Sequence, residues 1–411
     1  MQLAILGRQP KLSIAELESI FGSDTLTPVG EEVCLVDTDS PLPQSRLGGT
    51  IKSARILTRL KDASLESCFN YLVKTIPDHL GTLPEGKLQL GVSIYGAKAQ
   101  KNWLLKQLLT LKKVIKNEGR SVRIIENKSE ALESAVVLYN KLTGPLGWEL
   151  LLVKDGDDYI LAQTTAVQNV DDYSKRDFDR PKRDSYVGML PPKLAQVMIN
   201  LAVGGWQMAD GKKQFADGSP EVAILDPFCG TGVVLQEALL MGFGANGSDI
   251  SQKMVDYSLD NLNWLCAKYK IQNTKYKIEQ ADATRHQWET TPQFVVCETY
   301  LGKPLITFPE LSELKPIMDE ANEIADKFLV NISNQLNSGA QLCIALPAWY
   351  DGTANSKFQI PNSKFKHLKV LDHLTDMGYT RIDLKHASHS DLIYHRPDQV
   401  VARELVILEK K

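Results

Sequence analysis

Apolar positions recur along this 411-residue chain with two periods, and the points where the period changes divide it. Near the start, LAILG and VCLVD are short apolar runs of strand type. Between them SIAELESIF has the three-to-four spacing of a helix, which Ser13 would open. From residue 63 to about 168, LESCFNYLVKTI reads as a helix and LQLGVSIYG as a strand. A second helix carries Leu104, Leu108, Leu111 and Ile115 at helical spacing and would stop at Gly119. SVRIIEN and ALESAVVLYNKL follow. GWELLLVKDGDDYILAQTTAV then holds two alternating runs around Asp155-Gly156, which predicts a hairpin. Residues 170–192 are dense in charge, proline and glycine, and read as an ordered linker rather than a helix or strand. KLAQVMINLAVGG after it is a helix.

From Glu221 the pattern becomes a regular alternation. EVAILD, GANGSD, KYKIEQ, FVVCE and AQLCIAL are strand-like. Helical patterns stand among them at VVLQEALLMG, at Ser251 to Tyr269 and at about Leu311 to Leu336, and another would end at Gly378. Strands and helices alternating at this length predict a doubly wound, mostly parallel α/β sheet. The last two strands, YTRIDLKHAS and VVARELVIL, leave no room for a crossover helix and should pair antiparallel.

Composition narrows the class without naming a chemistry. The chain is 43% hydrophobic and 24% charged, ordinary values for a folded protein. Its six cysteines (Cys34, Cys68, Cys229, Cys266, Cys297 and Cys343) form no C-x-x-C pair, which argues against a zinc site or a disulfide framework. MQLAILGRQP lacks the features of a signal peptide, and no apolar run approaches a membrane span, so the expected location is the cytoplasm. A net charge of −3 gives no global signature for nucleic acid. Its distribution does: residues 98–128 hold nine Lys and Arg against Glu118 and Glu126. Lys98, Lys101, Lys112, Lys113 and Lys116 stand in this segment as candidate phosphate contacts, against the plainer reading of a solvated helix flank.

Candidate chemistry collects at the ends of the C-terminal strands. EVAILD runs into DPFCGTG (226–232) and then a helix, where glycines allow close approach of a ligand. Asp249 ends the next strand, the acidic position suited to a ribose diol. Asp282 follows the third, where a polar group could meet an adenine amine. Three such positions at successive strand ends describe an adenosyl ligand. No G-x-x-x-x-G-K-[ST] is present, so a P-loop is not expected.

DPFCGTG is similar to the first motif of class I S-adenosylmethionine-dependent methyltransferases that act on exocyclic amines. That resemblance implies Asp226, Phe228, Gly230 and Gly232 on the methionine side of the cofactor, Asp249 at the ribose and Asp282 at the adenine. Upstream, LAILGRQPKLSIAELESIF, RLGGTIKSARIL (46–57) and RDFDRPKRDSYVGMLPPKLAQVMINLA (176–202) resemble the THUMP-containing tRNA guanine-10 N2-methyltransferase family, over nearly the whole chain. The family implies a ferredoxin-like domain at 1–62, a THUMP RNA-binding domain at 63–168, a linker at 169–192 and a Rossmann-like methyltransferase domain at 193–411. Its sheet would be seven-stranded and mostly parallel, with the last strand antiparallel. Gly188, Met189, Leu190 and Pro191 match the stretch that closes over the methionine end of the cofactor. Arg176, Arg180, Lys182 and Arg183 could extend an RNA track, but five acidic residues share residues 171–184, which favours internal ion pairs.

Amine methyltransferases of this kind place Asp/Asn-Pro-Pro-Tyr after the fourth strand. A base amine delocalises its lone pair into the ring and is a poor nucleophile. An acceptor oxygen and a carbonyl must orient it, and an aromatic stacks on the extruded base. Here the stretch reads CETYLG, without the prolines. In one register Glu298 takes the acidic place and Tyr300 stands one position early. In the other, Cys297 replaces the acid. The first is preferred, because a carboxylate accepts hydrogen bonds and a thiol accepts poorly. The expected function is therefore S-adenosylmethionine-dependent N2-methylation of a tRNA guanine by direct transfer, with Glu298 and Tyr300 at the reacting base. Structured RNA would be the partner, no metal is implied, and an activating subunit stays open. The alternatives are a catalytically silent tRNA-binding THUMP protein and a DNA amine methyltransferase.

Overall fold

The computed structural model of this protein describes residues 1–184, 189–204, 222–272, 275–303, 305, 309–350, 365–396 and 399–411. Tertiary packing divides the chain into two units, Met1–Pro10 with Asp24–Asp172, and Lys11–Ser23 with Tyr173–Lys411.

The first unit is built on one eight-stranded sheet. Its strands are β1 (Gln2–Leu6), β2 (Leu26–Val29), β3 (Val33–Val36), β4 (Thr50–Leu60), β5 (Leu88–Tyr95), β6 (Val122–Ile124), β7 (Gly147–Asp155) and β8 (Asp158–Val167), in the order β2-β3-β1-β4-β8-β7-β5-β6. β4 is bonded to β1 on one side and to β8 on the other. The strands of residues 1–62 and 63–168 thus share a single sheet. β7 and β8 form the hairpin expected at Asp155-Gly156, where Gly156 turns the chain at φ +61°.

Helix α1 (Pro10–Phe21) follows β1 in the chain but packs in the second unit. It begins at Pro10 rather than Ser13, since proline's fixed φ suits a first helical turn. Ser13 is buried inside it. In the first unit, α2 (Leu65–Leu80) is opened by Ser64 and Ser67 in a reciprocal cap, and α3 (Lys101–Asn117) buries the four apolar residues its periodicity picked out. Gly119 ends that turn at φ +79°. Phe69, Leu72 and Ile76 of α2 and Leu104 and Leu108 of α3 pack on Leu90, Val92 and Leu152 of the sheet. A short helix, α4 (Ser134–Tyr139), lies between β6 and β7. Under this sheet Lys52 is fully buried beside Glu149, which also accepts from Ser93 and Thr164.

Residues 170–178 form a helix, α5 (Val170–Phe178), where the sequence pattern favoured an irregular linker. Asn169 Oδ1 accepts from the Asp172 amide at 3.1 Å. Asp171 and Asp172 sit in the first turn and Lys175 and Arg176 in the last, the arrangement a helix dipole favours. Then comes α6 (Pro192–Val203), buried along most of its length.

The sheet of the second unit comprises β9 (Ala223–Asp226), β10 (Gly244–Asp249), β11 (Tyr276–Gln280), β12 (Phe294–Glu298), β13 (Gln341–Tyr350), β14 (Phe365–Lys366), β15 (Tyr379–Arg381), β16 (Ile393–Tyr394) and β17 (Val401–Lys410). Seven follow the order β11-β10-β9-β12-β13-β17-β15, and the two-residue strands β14 and β16 pair at its side. From β11 to β13 neighbours are parallel, and β17 runs antiparallel to both β13 and β15. This is the α/β arrangement expected, with the two short strands added. One face packs against α6, α1 and α7 (Val233–Leu240), with α8 (Gln252–Tyr269) beside α7. The other packs against α9 (Leu311–Ser333). α1 is tied in by polar bonds as well: Asn200 donates to Glu16, and the amides of Lys385 and His386 donate to Glu18.

The helix expected to end at Gly378 is instead a 3₁₀ turn at Lys369–His373. Its amides and side chains are held by α9: Asn322 accepts from the Val370 amide and Asp326 holds His373. A segment this short does not repay helix nucleation by itself. Among the described residues, no helix is long and apolar enough to cross a membrane.

Candidate active site

The carboxyl ends of β9, β10 and β12 and the turn after β11 open into one cleft of about 840 Å3. Its size suits a nucleoside-sized ligand. The turn after β9 is shaped by its own first residue. Asp226 Oδ1 accepts from the Phe228 amide at 3.1 Å, and Gly230 takes φ +50°, a conformation glycine adopts without strain. Asp249 then joins two strand ends, because its carboxylate accepts from the amides of Gly230 at 3.0 Å and Ser251 at 2.9 Å. The 226–232 turn is thereby fixed against the acid that ends β10. Asp282 accepts from the amide and hydroxyl of Thr284 at 3.0 and 2.6 Å.

Asp226, Phe228, Gly230, Asp249 and Asp282 all line this cleft, as do Met189 and Leu190, and so do Glu298 and Tyr300. Gly232 does not. It closes the turn at φ +81° as the residue before α7, and a Cβ there would meet the Ser258 hydroxyl at 2.4 Å. Its role is the close approach of α7 to α8, which a side chain would force apart. Gly188 lies outside the described residues, as does Pro304 at the end of VVCETYLGKP.

Electrostatically the cleft is a place for a cation. Burial raises the Asp226 carboxyl well above the usual carboxylate range, and the nearby charges of Asp249 and Glu298 add to it. Burial also raises Asp249, against its two amide bonds. The Thr284 hydrogen bonds hold the more exposed Asp282 below its ordinary value. Converging carboxylates in a low-dielectric recess favour a positive ligand, which would lower the cost of ionising them.

Glu298 and Cys297 point to opposite faces of β12, as adjacent strand residues must. Cys297 is fully buried, and burial puts its thiol well above the usual range, so it offers neither an acceptor in the cleft nor a thiolate. Cys229 is raised in the same way. Glu298 faces the cleft and is paired with Arg403 of β17. Tyr300 lies over the strand end, packed against the apolar core near α9, with its hydroxyl 3.4 Å from Glu320. Residues that sequence reasoning did not pick out also line this space: Glu320, Glu323 and Lys327 of α9, with Asp184 before α6. Arg403 was equally missed. Its signal was the Arg403-Glu404 pair inside the apolar run VVARELVIL, where buried charge demands partners.

The candidate RNA contacts belong to the other unit. Lys98 precedes α3, and Lys101, Lys112, Lys113 and Lys116 lie along it, all exposed except the half-buried Lys112. The four linker residues that could have extended an RNA track are engaged internally: Arg176 with Glu237 at 2.7 Å, Arg180 with Asp177, Lys182 with Asp260, and Arg183 against the Phe178 ring. The alternative of internal pairing holds there.

No family model matches the sequence. The chain is 31% identical over 206 residues to the tRNA (guanine(10)-N2)-dimethyltransferase of Methanothermobacter thermautotrophicus, covering 50% of this chain and 52% of that protein. It is 33% identical over 129 residues to the protein of the same name from Methanocaldococcus jannaschii, 30% of this chain and 32% of the relative. The chain thus spans about half, or less, of the length of the curated relatives it matches. Among solved structures, TrmN from Thermus thermophilus aligns over 100% of this chain and 99% of its own, with a TM-score of 0.51 at 14% identity. That likeness shows the fold. The resemblance read from the sequence is shared by curated relatives that carry the guanine-10 name.

Proposed function

We propose that this protein is an S-adenosylmethionine-dependent RNA methyltransferase that transfers a methyl group directly to the exocyclic N2 amine of a tRNA guanine. One observation carries the reading: the acids that end β9 and β10 and the acid that follows β11 line the same cleft as Glu298 and Tyr300 at the end of β12. The names of the curated relatives favour tRNA and guanine over DNA.

The residues present fit the cofactor by the chemistry of their donors. Asp249 would hold the ribose hydroxyls and Asp282 the adenine amine. Asp226, Phe228 and Gly230, together with Met189 and Leu190, would enclose the methionine end, where buried carboxylate suits ammonium and sulfonium charge. When bound, S-adenosylmethionine supplies an electrophilic methyl group on a charged sulfur.

The chain's own contribution is orientation. Glu298 accepts a hydrogen bond from the target amine and turns its lone pair toward the methyl donor. Tyr300 offers a face on which an extruded base can stack. Proximity and alignment supply most of the acceleration in such transfers. The raised thiols of Cys229 and Cys297 leave no ready nucleophile for a covalent adduct, which favours direct transfer. In this reading residues 63–168 form a THUMP-like RNA-binding region after a ferredoxin-like start, and α3 carries the phosphate contacts.

The test is labelled-methyl transfer from S-adenosylmethionine to undermethylated tRNA, to duplex DNA and to ribosomal RNA fragments, with the product nucleoside identified by mass spectrometry. N2-methylated guanosine in tRNA alone is the expected result. Transfer to DNA alone, or cofactor binding without any transfer, would replace this reading with one of its two alternatives.

A further inference from the structure

Arg403 stands in the middle of β17 among buried residues and is itself only 4% exposed. A buried guanidinium without a partner would cost several kcal/mol. Its partner is Glu298, to whose Oε1 the Arg403 Nε donates. Among the described residues, no other group bonds to that carboxylate, and Glu298 itself lines the cleft.

The register shows how the two meet. β12 and β17 flank β13, with Glu298 opposite Ala345 and Arg403 opposite Pro347. All four belong to one face of the sheet. The residues between the charges are small, so the long arginine side chain can span β13. A glutamate reaches one methylene farther than an aspartate toward that arginine. β17 is itself anchored on the opposite face at the next residue: Glu404 holds His367 Nδ1 at 2.6 Å and Arg381 Nη2 at 3.0 Å.

We infer that Arg403 is a positioning residue for the methyl-transfer step, fixing the Glu298 carboxylate by one oxygen so that the other accepts the target amine. The inference rests on the amine-methylating reading of the cleft. Arg403 is absent from the cleft lining and acts through Glu298 alone. The residue thereby accounts for a glutamate at a strand end where related chemistry uses a shorter acid.

The experiment is a double-mutant cycle on the full chain, with tRNA as acceptor: wild type, Arg403→Met, Arg403→Lys, Glu298→Gln and Glu298→Gln/Arg403→Met. Arg403→Met is expected to lower kcat by about 100-fold, the usual cost of a misplaced reacting group, with the KM for S-adenosylmethionine unchanged. Arg403→Lys, which keeps the charge, should recover part of that loss. In the Glu298→Gln background Arg403→Met should cause no further loss of kcat per folded molecule, with the folded fraction of each variant fixed by urea unfolding. A merely structural ion pair would show its non-additivity in stability and leave kcat per folded molecule unchanged. The double variant buries no lone charge, so it reports even if Arg403→Met folds poorly. An active wild type with kcat unchanged in Arg403→Met, or with additive effects, overturns the inference alone. A wild type that binds cofactor yet methylates nothing removes the reading beneath it as well.

Discussion

What a side chain at a strand end can do depends on which of its atoms are already held. Glu298 and Cys297 are neighbours in sequence and both were candidates for the acceptor, but β12 turns one into the cleft and the other into the core. Glu298→Gln keeps the shape and removes the charge. It is expected to lower kcat about 100-fold while leaving the affinity for S-adenosylmethionine unchanged by calorimetry. Unaltered turnover would take Glu298 out of the reaction. A second residue makes a prediction about pH. The hydrogen bond and charge of Glu404 hold His367 above its ordinary value of 6.5, against partial burial and the charge of Arg381. The folded state therefore binds that proton more tightly than the unfolded chain. This contribution to stability is complete below 6.5 and is lost as pH rises through the folded value. His367→Gln should flatten that stretch of the stability curve, measured by urea unfolding across it.

Elements meet where polar bonds can be completed. α1 follows β1 in the chain, and its pattern alone assigned it to the strands around it. Its buried acids, Glu16 and Glu18, find donors in Asn200 and in the amides of Lys385 and His386, so it packs in the second unit. The helix at 170–178 was equally hidden, because a charge-rich segment looks like a linker until its cap and its partners, such as Glu237 for Arg176, are known. In the first unit the buried Lys52–Glu149 pair links β4 to β7, with Ser93 of β5 and Thr164 of β8 donating to the same carboxylate. Lys52→Met should destabilise this unit by about 3–5 kcal/mol, because it strands a buried carboxylate. Lys52→Met/Glu149→Leu should restore most of that loss, and chemical denaturation of both variants measures the difference. If the single variant is as stable as the double, the pair contributes no compensation.

At the scale of the whole molecule, one unit carries the cleft and the other carries the exposed lysines of α3. If those lysines contact RNA phosphates, Lys112→Gln/Lys113→Gln/Lys116→Gln should weaken tRNA binding. Each lost contact should reduce the slope of log affinity against log salt by about 0.9. Turnover at saturating tRNA should be kept. An unchanged affinity and slope would make α3 ordinary solvated surface.

The sequence by itself determined the periodic elements: the four-residue apolar stripe of α3, the hairpin at Gly156, the alternation after Glu221 and the acids that end its strands. These are local, since they depend on spacing of apolar residues, on glycine at a turn and on residue type at a strand end. Only the tertiary structure decided that strands on either side of residue 62 share one sheet, that α1 packs away from its chain neighbours, and that Arg403 reaches Glu298 across β13. Each of these depends on which distant groups satisfy a buried hydrogen bond or charge, a condition that no short window of residues contains.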